Sequence, residues 1–174
     1  MKIFSFLAVL AAVSCANEFN LGGVELNTQE RAAEVTSKVY LDLDIDNQSV
    51  GRIVIGLFGK VVPKTVKNFE SLCIGTGIGN YGKDLWYKGS RAWRNFPHYM
   101  ISFGDIINND GTSGESIYGP YFNDENFILQ HDRPYLVCMN RVAEYGRDSN
   151  TSQFNIMFRD APWMDKTEEC VVFG

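Results

Sequence analysis

At 174 residues and a formal charge of −5, the chain is sized for one domain, and 45% hydrophobic residues with 13% aromatics are enough to build a real core. The acidic balance leaves no basic face to draw the protein to nucleic acid or anionic lipid, so neither is an expected partner.

The chain opens with Lys2, an apolar run from Ile3 to Val13 and the small residues Ser14-Cys15-Ala16, the layout of a signal peptide over residues 1–16. Such a leader sends the protein into the secretory pathway, to the endoplasmic reticulum lumen or outside the cell. The run is too short for a bilayer core of roughly 30 Å and no later stretch approaches about 20 apolar residues, so no membrane anchor is expected. Lipidation at Cys15 is disfavoured by Ala12, where a large aliphatic residue belongs. Asn47-Gln-Ser49 and Asn150-Thr-Ser152 fit the glycosylation pattern. Cys73, Cys138 and Cys170 cannot all pair with one another, and none stands in a C-x-x-C or a histidine cluster, so buried thiols and no metal site are expected.

Residues 17–37 are polar and without period, an arm ahead of the fold. Folding begins at Lys38, where Val39, Leu41, Leu43 and Ile45 alternate with polar residues as on a half-exposed strand. Asp46-Asn47-Gln48 is a turn, and the apolar run from Val50 to Phe58 predicts a returning strand buried on both faces. Pro63 opens a helix carrying Val66, Phe69 and Cys73 on one side, and Gly75 closes it. Gly75-Thr-Gly77-Ile-Gly79 follows this helix instead of preceding one, so it is no phosphate loop. Residues 91–103 read as strand, turn and strand around Asn95-Phe-Pro97, and the long polar stretch Gly104 to Gly119 as a self-packed or functional loop. That stretch is no calcium loop, because Ile106 and Ile117 would hold the first and twelfth positions. Short apolar runs at 135–139, 154–158 and 170–173 complete a mostly β outline, expected to be a barrel.

The usual catalytic signatures are absent: there is no H-E-x-x-H, Walker loop or G-x-S-x-G. His98 and His131 stand in turn-like or polar contexts and are expected to face solvent. Arg94, followed by Phe96 and Tyr99-Met100, is the residue that stands out.

Over residues 38–174 the ordered blocks Val50-Gly-Arg-Ile-Val-Ile-Gly-Leu-Phe-Gly59, Val62-Pro-Lys-Thr-Val-Lys-Asn-Phe69, Ser116-Ile-Tyr-Gly119, Asp124-Glu-Asn-Phe127, Ser152-Gln-Phe154 and Val171-Val-Phe-Gly174 resemble the cyclophilins. The resemblance implies an antiparallel β-barrel capped by helices, with a groove that binds Xaa-Pro peptides and isomerises their prolyl bonds without a cofactor. Arg94 matches the family's catalytic arginine, Tyr99 and Met100 its pocket floor, Gln153 its glutamine and Trp163 its rim tryptophan. Ser102 replaces a glutamine that helps hold the arginine, Asn155 replaces a phenylalanine of the proline wall, Asn140-Arg141-Val142 replaces Ala-Asn-Ala along the groove, and Met164 replaces a leucine. Cys170 stands where the family has a histidine. Family members continue past Val-Phe-Gly with a helix and a closing strand, whereas this chain stops at Gly174, so an incomplete barrel is expected. Three readings follow: an isomerase of secretory client proteins that binds cyclosporin weakly, a proline-peptide binding or chaperone module on the same scaffold, or a purely structural partner that binds neither proline peptides nor cyclosporin.

Overall fold

The computed structural model describes residues 33–142 and 144–174; the expected signal peptide and most of the expected arm lie outside them. Among the described residues, seven strands and two helices follow in the order β1 (Ser37–Ile45), β2 (Gln48–Leu57), α1 (Pro63–Ile74), β3 (Arg94–Phe96), β4 (Met100–Phe103), β5 (Val137–Arg141), β6 (Asn150–Met157), α2 (Pro162–Thr167) and β7 (Cys170–Val172). The ladders form two sheets, the hairpin β1-β2 and a five-stranded sheet ordered β3-β4-β6-β5-β7, not closed into one barrel.

Asp46 and Asn47 join β1 to β2 with φ of 51° and 62°, the left-handed pair that suits a two-residue hairpin loop. Thr36 already bonds the partner strand, its amide reaching the Leu57 carbonyl at 2.8 Å, so ordered contacts begin just before the expected boundary. Strand β2 departs from the sequence reading. Only Ile55 and Leu57 are fully buried, while Val50 and Val54 are exposed, because among the described residues one face of the two-stranded sheet has no covering layer.

Helix α1 starts with Pro63, whose missing donor costs nothing in the first turn, and ends at Gly75 with φ of 89°. Val62 offers no side-chain cap. The Glu125 carboxylate replaces it, accepting from the amides of Lys64 at 3.0 Å and Thr65 at 2.8 Å and from the Thr65 hydroxyl at 2.9 Å.

The loop from Gly104 to Gly119 folds around one carboxylate. Asp105 accepts from the amides of Ile107, Asn108 and Gly111 at 2.9–3.0 Å and from the Ser113 hydroxyl at 2.8 Å. Burial alone would raise this carboxyl, but the hydrogen bonds from Asn108, Ser113, Ile107 and Gly111 outweigh it and hold the group below the ordinary carboxylate range. Gly104 starts the loop at φ of 88°, where a β-carbon would meet the Ser152 carbonyl oxygen at 2.3 Å, so only glycine fits.

Because side chains alternate across a strand, the five-stranded sheet has two chemically different faces. Phe103, Phe154, Ile156, Val137, Met139 and Val171 point inward to the main core with α1 and the hairpin. There Phe69 meets the rings of Tyr87, Phe154 and Phe173 at 4.8–5.3 Å. The other face carries a second, smaller core of Phe58, Leu136, Cys138, Met157, Met164 and Cys170, closed over by α2. Strand β6, buried at every position, serves both.

Two expectations are corrected here. Cys138 and Cys170 are not free thiols: β5 and β7 are adjacent, and their α-carbons lie 5.5 Å apart, within disulfide range, so the two are bridged. Among the described residues only Cys73 remains a buried thiol, its ionisation pushed far up chiefly by burial. The second concerns glycosylation. Asn150 is 1% exposed and its side-chain amide donates to Phe122 and Asp124, so the folded chain offers no acceptor there, whereas Asn47 is exposed at the hairpin tip.

Candidate active site

The register of the five-stranded sheet brings most of the expected site residues onto one face. Arg94 lies directly opposite Ser102, Ser102 opposite Asn155, and Asn155 opposite Cys138, so these four side chains form a row across β3, β4, β6 and β5. One step along, Phe96 faces Met100 and Met100 faces Met157. Asn140 faces Cys170 at the far edge.

The row divides by exposure. Arg94 is exposed at the start of β3, with its guanidinium carbon 4.8 Å from the centre of the Trp93 ring and 5.5 Å from that of Phe96. Among the described residues its guanidinium makes no hydrogen bond or ion pair. Phe96 continues the ridge to Tyr99 at 6.3 Å, and Tyr99 to Trp163 at 5.8 Å. The Trp163 indole donates to the Tyr99 hydroxyl at 3.4 Å, and Arg159 stacks on the outer face of the indole at 5.3 Å. Trp163 rises from α2, which Pro162 begins just after the β6 end, so that helix positions the rim. The turn Pro97-His98-Tyr99 allows this placement, with His98 in the left-handed region at φ of 63°.

Beneath the ridge the row is buried. The Ser102 hydroxyl donates to the Asn155 carbonyl oxygen at 2.7 Å, and the Asn155 amide donates to Cys170 Sγ at 3.6 Å. The amide that replaces an apolar wall therefore has both of its ends partnered, by the same residues that differ beside it. Ser102, Asn155, Gln153 and Met164 are each no more than 5% exposed. They form a buried layer beneath the exposed residues. Gln153 spends its amide on the loop, donating to the carbonyls of Gly111 and Ser113. Met164 takes the Tyr99 hydroxyl at its sulfur, 3.4 Å away. The accessible part of the expected site is thus Arg94, Tyr99, Met100, Asn140 and Trp163.

Beyond Asn140, a depression of about 330 Å³ lies between the 104–119 loop and the segment after β5, lined by Tyr81, Thr112, Gly114, Tyr121, Val142 and Tyr145.

His131 is the residue misjudged from sequence. It is 1% exposed, with Nδ1 2.7 Å from an oxygen of Asp165, whose carboxylate also accepts the His131 backbone amide at 3.0 Å. The partner comes from α2, far along the chain, so no local pattern announced it.

The chain matches the family model for cyclophilin type peptidyl-prolyl cis-trans isomerases over residues 40–174. It is 48% identical over 157 residues to the peptidyl-prolyl cis-trans isomerase CYP21-1 of Arabidopsis thaliana, covering 90% of this chain and 68% of that protein. It is 46% identical over 144 residues to the NK-tumor recognition proteins of Mus musculus and Homo sapiens, covering 82% of this chain and 10% of each of those.

Proposed function

The chain belongs to the cyclophilin type peptidyl-prolyl cis-trans isomerase family and is an enzyme of that class, and we propose that it turns Xaa-Pro bonds of secretory client proteins with Arg94 as the group that stabilises the twisted amide. The reaction is rotation against a resonance barrier of about 18–20 kcal/mol, with no covalent step. A guanidinium donating to the prolyl nitrogen favours a pyramidal nitrogen, which ends the partial double bond and stabilises the twisted state over either planar one. Tyr99, Met100 and Trp163 hold the proline ring, while the backbone beside Asn140 holds the peptide. The observation that carries this reading is the exposed Arg94 at the head of an aromatic ridge, on the same sheet face as Met100 and Asn140.

The test is a protease-free assay of cis-to-trans relaxation of a Xaa-Pro peptide, comparing the intact chain with Arg94→Ala. Catalysis lost in the variant supports the proposal; equal catalysis in both removes Arg94 from the mechanism. One observation favours the second reading, a proline-peptide binding or chaperone module. Ser102 and Asn155 bond each other and leave the guanidinium without a side-chain anchor. Peptide binding by the wild type with no acceleration of the relaxation establishes that reading.

The secretory setting rests on the leader pattern in residues 1–16, the bridge between Cys138 and Cys170, which suits an oxidising compartment, and the exposed sequon at Asn47. Expression in a eukaryotic secretory host tests it: glycosidase treatment should shift the wild type and leave Asn47→Gln unchanged. Retention of the unglycosylated protein in the cytosol contradicts it.

A further inference from the structure

Behind the groove, the small outer core holds a group of side chains that the isomerase chemistry does not use. A ring nitrogen of His131 and the sulfurs of Cys138 and Cys170 all lie within 4.8 Å of one another, and all three residues are buried. The sequence offered no such cluster, because the three residues come from separate segments and meet only when β5, β7 and the segment packed on α2 come together. The histidine is not fully accounted for by its structural partner. Nδ1 faces the Asp165 carboxylate, which can only accept, so Nδ1 carries the proton and donates. That tautomer leaves a lone pair on Nε2, and Nε2 is buried without a hydrogen-bond partner among the described residues. A buried polar atom without a partner calls for an explanation.

We propose that this cluster is a redox-gated site for a thiophilic divalent cation of the Zn2+ class, with Cys138, Cys170 and His131 Nε2 as ligands and Asp165 as the carboxylate that orients the imidazole. The disulfide is the closed form. A dithiol reductant opens it, delivering two electrons and two protons to give two thiols and leaving as its own disulfide. The cation then displaces both thiol protons to solvent and takes two thiolates and the Nε2 lone pair, while the Nδ1 proton stays on Asp165's side. Tetrahedral ligands at 2.0–2.3 Å from zinc lie roughly 3.5–3.8 Å apart, so atoms now within 4.8 Å need only small movements once the sulfur–sulfur bond is gone. The donor set, two sulfurs and one imidazole backed by a carboxylate, is the kind that selects zinc over magnesium or calcium. A fourth position is left for solvent or an anion. Cation and disulfide exclude each other, because they use the same electron pairs.

The experiment uses the intact folded chain, oxidised or reduced with a phosphine, titrated with Cd2+ and Zn2+ and followed by thiolate-to-cadmium charge-transfer absorption. Expected are one equivalent bound by the reduced protein, none by the oxidised one, and zinc displacing cadmium competitively. His131→Gln should weaken binding at least tenfold while keeping the charge-transfer band, and Asp165→Asn should weaken it about 10–100-fold. Should the His131 variant fail to fold, alkylation of the reduced wild type read by peptide mass decides the matter: Zn2+ should slow modification of Cys138 and Cys170 relative to the metal-free reduced protein, while the buried Cys73 stays unreactive in both. A reduced, folded protein that binds no cation overturns the proposal. So does equal binding by the oxidised form, or alkylation of Cys138 and Cys170 at the same rate with and without Zn2+.

Discussion

The two ends of one row of side chains across the five-stranded sheet have been treated in opposite ways. At the β3 end Arg94, Phe96, Tyr99 and Trp163 are all exposed or partly so, stacked ring on ring, and match the family's residues where it has counterparts. Toward the other end, from β4 to β7, Ser102, Asn155, Cys138 and Cys170 are buried and joined by hydrogen bonds and a covalent bridge. The exposed end can change only at the expense of what it meets in solution. The buried end can change freely provided that every new polar group finds a partner within the row, and here each replacement supplies the partner of the next.

The sharpest way to break this comparison is at the exposed end. Arg94→Ala should lower catalysis about 100–1,000-fold, the usual cost of one transition-state donor, with no change in the unfolding midpoint. A loss of stability of similar size would show that the ridge is structural. Cyclosporin provides the second test: with Asn155 turned into the protein in place of an apolar wall, binding by calorimetry should be weaker than nanomolar by two orders of magnitude or more, since a lost buried aromatic contact costs about 3 kcal/mol. At the buried end, reduction of the bridge should cost about 3–4 kcal/mol in urea unfolding, from the freedom regained by a loop of 32 residues. Ser102→Ala should cost about 1–3 kcal/mol by leaving the Asn155 oxygen buried and unpaired; a neutral result would mean that the row relaxes more easily than its hydrogen bonds suggest.

Acid probes the loop that packs behind this end. The native Asp105 carboxyl is held below its unfolded range, so its contribution is present above the unfolded value near 3.9 and is lost as pH falls through the lower native one. Asp105→Asn should therefore flatten the acid limb of the stability curve below about pH 4, while leaving the slope near neutrality as it was.

How far the sequence could be read follows the same division. Strand alternation from Val39 and the Pro63 helix are local patterns, and each forms where local chemistry places it, whereas the turn expected around Asn95-Phe-Pro97 forms two residues later, at 97–99, with Asn95 and Phe96 paired in β3. Arg94, Tyr99 and Trp163 were legible as matches to a family pattern. The buried end was not, because its logic lies between strands. Nothing near Cys138 in the sequence points to Cys170 or His131, and nothing near Asn155 tells that Ser102 will satisfy it. Strand β2 was misread for a related reason: an apolar run shows what could be buried, not whether a layer exists to cover it.

The Glu125 cap on α1 carries a consequence for the order of events in folding. Its carboxylate reaches Lys64 and Thr65 from 60 residues downstream, so the first turn of α1 waits for a distant segment before its amides are satisfied. Closing so long a loop is slow and entropically costly, which places this contact late on the route to the native state. Removing it with Glu125→Ala, at a cost of about 1 kcal/mol, should hasten unfolding several-fold and leave the refolding rate almost untouched, so that the helix has a clock set by a residue made long after it.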